Sequence, residues 1–372
     1  KKKKRRKNKT LNRMNKQPKP DSKKYTDLIS EIDRGEIKIP KFQRDFVWSL
    51  DKTANLLDSI LKGYPIGTFI LWETKQRLNY IKNIGNLVLK PVPDDIKIQY
   101  VLDGQQRITS LYAAYLGAKI QKVGEKKITD YSQIYVNLDA DIEDNDEPII
   151  TSEINEDSRY ISLNDILHFN KHYIKLKDKY DDELLMKINQ YHNVFQSYDF
   201  STVVLRKDDI DSAIEVFTRI NTGGQTLTLF EIMSAKTYDE GKNFDMQKSF
   251  SGFLKELSNV QFDTISSSVL LFTTSFILSK NEECKRKVVL SLDKNEIIDV
   301  WDDVIDAVKE SIDYFKSVYR IPLSSLLPYD SLLVPYAYFF YKTKNRPQGN
   351  QSKYLEEFFW RASLSSRYSS ST

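Results

Sequence analysis

Apolar positions along this chain follow two alternating rhythms before giving way to one. Short apolar runs read as buried strands: Ile37–Pro40, stopped by its proline, then 67–72, 98–102, 134–138 and 200–205. Between them the spacing turns helical. Tyr25 to Arg34 closes at Gly35. Leu50, Ala54, Leu57, Ile60 and Leu61 form a stripe behind a Ser49 N-cap, ended by Gly63 and Pro65. Ile108, Leu111, Tyr112, Tyr115 and Leu116 form a second stripe. Ile210, Ala213, Ile214, Val216 and Phe217 form a third, behind Asp208 or Asp209 as cap. A hairpin is expected within 78–93, a helical insertion over 163–198, and a capping box at Thr228 with Glu231. From Phe244 strand signals vanish and helical stripes recur to Leu364. The pattern predicts an α/β (α+β) domain over 25–243 and an all-helical domain over 244–372.

Charge divides the chain differently. Of 56 Lys and Arg and 52 Asp and Glu, thirteen bases and a single acid, Asp21, fall within residues 1–24, so the remainder is net acidic. That basic segment is expected to be a disordered tail with weak, salt-dependent affinity for nucleic acid, or else a solubilising tail or a linker left by cutting a longer chain. The first residue is Lys and not Met, and the chain stops in a Ser-rich run, so a piece of a longer polypeptide is expected. No apolar run approaches the roughly 20 residues of a membrane span, and no signal peptide is visible. Cys284 is the single cysteine, which excludes a disulfide framework and a cysteine-based zinc site. These features lead to the expectation of a cytoplasmic chain with no membrane partner.

Candidate chemistry concentrates in Tyr100-Val101-Leu102-Asp103-Gly104-Gln105-Gln106-Arg107, a strand, a tight turn and a helix start. Free N–H groups at a helix N-terminus suit phosphates, Arg107 offers bidentate recognition, and Asp103 suits a magnesium ion. The plainer alternative is a turn with Asp103 capping and Arg107 in a salt bridge. Lys41–Trp48 is a loop dense in aromatic and polar groups, including Gln43 and Arg44. Phe217-Thr218-Arg219-Ile220-Asn221-Thr222-Gly223-Gly224 ends a helix with more polar chemistry than a helix end needs. His168 and His172 stand at i and i+4, a spacing that can grip a metal, but no HExxH glutamate or cysteine accompanies them. No Walker A sequence is present, so a P-loop enzyme is excluded.

The three clusters, IPKFQR with Trp48, DGQQR and FTRIN with GG, occur in that order. The combination resembles the N-terminal domain of GmrSD-type, modification-dependent restriction endonucleases, the DUF262 family. The resemblance implies a ParB/sulfiredoxin-like core that binds and hydrolyses nucleoside triphosphates in bacterial anti-phage defence. It implies a divalent cation, Mg2+, at Asp103, with Gln43 and Gln106 joining Asp103 and Arg107 in catalysis. Arg44, Gly104, Gln105, Arg107, Arg219 and Asn221 would bind the nucleotide. It further implies DNA as a partner and an HNH nuclease, absent here, as a missing C-terminal domain or separate subunit. A ParB-like DNA-binding module and a DNA endonuclease without nucleotide turnover are the alternatives.

Overall fold

The computed structural model describes residues 19–43, 45–91, 96–140, 148–206, 210–220, 227–279 and 283–365. Two compact units emerge. One comprises the chain to Gln76 and Tyr80–Gln225; the other comprises Arg77–Asn79 and Thr226 onward.

In chain order the first unit runs β1 (Lys19–Lys24), α1 (Tyr25–Asp33), β2 (Ile37–Lys38), α2 (Leu50–Leu61) and β3 (Phe69–Thr74). The hairpin β4 (Asn83–Ile84) and β5 (Leu87–Val88) precedes β6 (Ile98–Asp103) and α3 (Gln105–Leu116). Then come β7 (Lys119–Gln121), β8 (Ile128–Asp130), β9 (Tyr135–Asn137), β10 (Ile150–Thr151) and β11 (Tyr160–Ser162). Helices α4 (Leu163–Leu167), α5 (Phe169–Lys177) and α6 (Asp182–Ser197) lead to β12 (Asp199–Leu205) and α7 (Ile210–Ile220).

The main sheet has the order β1-β12-β3-β6-β2. Parallel pairing of β12 with β3 and of β6 with β2 alternates with antiparallel β3–β6 and β1–β12. The interior strands carry Phe69, Leu71, Val101 and Phe200 into a core shared with Leu28, Leu57, Ile60 and Leu111 of the helices. Their near-continuous apolar runs match strands covered on both faces. Ser49 caps α2 by accepting from the Lys52 N–H, and helices fill the insertion, as the sequence predicts.

One expectation needs correction. Lys19–Lys24, assigned by composition to the disordered tail, pairs along all six residues with β12 as the outermost strand. No apolar pattern announces it. The backbone of β12 supplies the pairing, while Pro20 of β1 blunts the resulting edge. Residues 1–18 lie outside the described residues, as do 141–147 of the acidic run and the Asp208/Asp209 cap.

The second unit is helical. Helices α8 (Leu229–Thr237), α9 (Met246–Ser258), α10 (Ser268–Leu278) and α11 (Arg286–Ser291) are followed by α12 (Lys294–Val318), α13 (Leu333–Thr343) and α14 (Asn350–Leu364). Thr228 and Glu231 close the expected capping box at the start of α8. Trp301, Tyr336, Phe315 and Leu270 form a separate core. A fold of mixed α/β sheet followed by a mostly helical region is therefore established.

Candidate functional site at the strand–turn–helix corner

β6 ends at Asp103 and α3 begins at Gln105, so the whole reversal falls on Gly104, with φ +93° and ψ 12°. A Cβ there would stand 2.4 Å from Cδ1 of the buried Phe69 ring, which leaves the position to glycine. The backbone N–H groups of Gln106 and Arg107, in the first turn of α3, have no partner among the described residues. A helix start presenting such donors carries partial positive charge.

Arg107 turns inward. Its Nη1 donates to the Ile66 carbonyl, and its Nη2 donates to the Thr68 carbonyl and to Asp103 Oδ2, both at 3.1 Å. The guanidinium lies over the Phe69 ring, 5.1 Å from its centroid. Gly67 makes room for it, since a Cβ there would meet Nη1 at 2.5 Å. The arginine expected to clamp a phosphate thus pins the segment before β3 to the turn. Of the two readings open in the sequence, the salt bridge with Asp103 is present. Asp103 itself is 43% exposed in its side chain.

The first loop is bound to this corner at both ends. Gln43 Nε2 donates to the Val101 carbonyl of β6. Gln106 is buried, and its amide grips the loop backbone: Oε1 accepts from the Val47 N–H at 2.9 Å, and Nε2 donates to the Asp45 carbonyl at 3.0 Å. Both amides expected to handle water or phosphate are hydrogen-bonded to backbone here. The loop also meets α7, where the Phe42 and Phe217 rings pack edge to face at 5.0 Å. The helix itself packs against β6.

Described parts of all three motif segments therefore meet, while Arg107 and Arg219 are engaged with separate partners. Arg219 follows Phe217 by two residues, a rotation of roughly 200° about a helix axis, so the Phe217 ring and Arg219 occupy opposite sides of α7. Arg219 is exposed and pairs with Glu215 at 2.7 Å. Arg44 and Asn221 lie outside the described residues.

Beside Gln105, which belongs to the DGQQR motif, this corner gathers groups that no motif contains. A cavity of about 10 Å³ opens beside the first turn of α3, lined by Asp45, Phe46, Gln105, Thr109 and Lys122 among others. Gln105 and Thr109 stand at i and i+4, one face of the helix away from Arg107; that spacing was the available clue. Lys122 falls in a stretch that reads only as strand and loop. Lys38 of β2 is also buried, donating to the Lys90 carbonyl under the Tyr80 ring at 4.9 Å, and burial lowers its pKa to about 8. The histidines bind protein groups: His168 bonds the Tyr115 carbonyl, His172 pairs with Asp165 and His192 bonds the Ile166 carbonyl. No cluster of three or more His, Cys, Asp or Glu suited to a metal occurs among the described residues.

A mixed sheet whose strand–turn–helix corner is tied to two distant polar segments, in a chain with no Walker A sequence, places this domain outside the P-loop class. Residues 25–238, more than half the chain, match the family described as GmrSD restriction endonuclease, N-terminal domain, and the chain belongs to that family. The chain is also 25% identical to an uncharacterized protein, MJ0686, of Methanocaldococcus jannaschii, in a match covering 95% of this chain and 65% of that protein. No helix among the described residues is long and apolar enough to cross a membrane.

Proposed function

We propose that the first unit binds and hydrolyses a nucleoside triphosphate and thereby regulates DNA restriction, with cleavage assigned to an HNH nuclease domain or subunit. The observation that carries this reading is the convergence of three motif segments: Gln106 grips the loop of Gln43, and Phe42 meets Phe217. Such ties hold a polar corner in one geometry, and phosphoryl transfer depends on positioning and charge neutralisation more than on a strong nucleophile.

The N–H groups of Gln106 and Arg107 receive the phosphate oxygens at the positive end of α3. Gln43 and Gln106 fix the loop that closes over them. Arg107 holds Asp103 in place and keeps the segment before β3 against the turn. Asp103 is the one carboxylate of the turn, with Oδ2 on Arg107, so it fits a Mg2+ held chiefly by substrate phosphates and water, not a caged ion. Magnesium in that role supplies neutralisation of phosphate charge. A nuclease centre built on clustered carboxylates finds less support, since Asp103 stands alone in the turn. Modified phage DNA is the proposed signal to which turnover responds.

The test is phosphate release by the full chain with Mg2+ and each of the four common ribonucleoside triphosphates, with and without DNA. Release from at least one is expected, with Asp103→Asn reducing it at least about a hundredfold, the scale of losing one electrostatic stabiliser. A wild-type chain inert toward all four, or an Asp103→Asn chain at full rate, overturns the reading.

A further inference from the structure

The cavity beside α3 combines two features that a folded chain does not ordinarily leave standing. The hydroxyl of Thr109 is sealed from solvent and has no hydrogen-bond partner among the described residues. Lys122, only 7% exposed, has neither a carboxylate nor a hydrogen-bond acceptor for its ammonium among the described residues, and its Nζ lies 5.8 Å from the centre of the Phe46 ring. Both line the same cavity, together with Gln105 at the first position of α3.

An ammonium removed from water without a counter-charge is costly, and so is an orphaned hydroxyl. The two costs are relieved together by a guest that accepts hydrogen bonds and carries negative charge. The positive end of α3 favours the same guest. Room for about one water-sized atom suits one oxygen of a larger anion, the rest remaining at the mouth. Asp45 also lines the cavity, and its exposed carboxylate lies beyond ion-pair distance of Lys122.

We propose that Lys122 and Thr109 form an oxyanion site that takes one oxygen of a phosphate group. The choice of phosphate over another oxyanion rests on the nucleotide reading above; the site itself does not require hydrolysis. Lys122 supplies charge-assisted donation and Thr109 completes the shell, while Asp45 limits affinity by like-charge repulsion.

The experiment is titration of the full chain with inorganic phosphate and with pyrophosphate, followed by calorimetry and by phosphorus NMR, without any turnover. Lys122→Gln is expected to weaken binding at least about tenfold, the loss of one charge-assisted hydrogen bond. Asp45→Asn is expected to tighten it. Thr109→Val is expected to weaken it while raising the Tm of the phosphate-free chain, because an unpaired buried hydroxyl is replaced by a methyl of equal size. Lys175→Gln, a distant exposed lysine, serves as the charge control and is expected to change nothing. Phosphate binding that is absent in the wild type, or equal in the wild type and Lys122→Gln, overturns the proposal. So does a Thr109→Val chain that is less stable and binds normally, or an Asp45→Asn chain that binds more weakly, the mark of a water-bridged Lys122–Asp45 pair. If Lys122→Gln fails to fold, the Thr109 and Asp45 variants decide. A chain that binds phosphate here but hydrolyses no triphosphate defeats the proposed function and leaves this site standing.

Discussion

Replacing Gln106 by leucine removes both hydrogen bonds that hold the first loop, those to the Val47 N–H and to the Asp45 carbonyl, and changes the side-chain volume little. Each bond contributes about 1 kcal/mol net, and a buried group left unpaired costs more, up to about 3 kcal/mol. Val47 is 55% exposed, so water reaches the released backbone and the lower figure applies. The loop is then easier to open by about 2 kcal/mol, roughly thirtyfold in its opening equilibrium. Native-state hydrogen exchange reads this at one amide, since Val47 N–H is protected by Gln106 and not by secondary structure. Its protection is expected to fall about thirtyfold, with core amides of β6 and α3 unchanged. Phosphate release should fall with it, because the loop carries Gln43. Val47 exchange within about twofold of wild type in a folded variant would show that the amide does not hold the loop. A uniform loss of protection across the unit would make Gln106 a core residue instead of a loop clamp.

Gly104→Ala forces an L-residue into the left-handed region, at about 1–2 kcal/mol, and drives a Cβ to 2.4 Å from Phe69 Cδ1. Overpacking adds about 1–3 kcal/mol, so Tm should drop by about 5–15 °C in a thermal melt, and a drop under about 2 °C refutes the assignment. Lys38 has its pKa lowered by burial from 10.5 to about 8, so the unfolded chain binds more protons between those values and stability rises with pH across that window. Denaturant titrations of Lys38→Met should lose that rise; an equally steep rise in the variant places its origin elsewhere.

Much of the corner was legible residue by residue. A strand signal ending in Asp103-Gly104, followed by a helical stripe from Ile108, allows little else, because only glycine tolerates the reversal between them. Ser49 and Thr228 announced their helices through capping, which is local chemistry. The sequence places the change to a purely helical pattern at Phe244, whereas the second compact unit takes in Arg77–Asn79 and Thr226 onward, because Leu229–Thr237 packs with the later helices rather than with the sheet. The edge strand Lys19–Lys24 was hidden because its pairing comes from the backbone of β12, some 180 residues away, and not from its own side chains.

The roles of side chains at the corner belonged to tertiary structure. Sequence placed three glutamines and three arginines in motifs, and any of them suits a phosphate. Only the fold shows Gln43 and Gln106 spent on backbone, Arg107 drawn in by the Ile66 and Thr68 carbonyls, and Arg219 turned to Glu215. It alone sets Thr109 and Lys122 around one cavity. Local order fixes which elements form, because capping, turns and periodicity act over a few residues. Which polar atom is satisfied, and which is left without a partner, depends on groups far apart in the chain that only packing brings within hydrogen-bond reach.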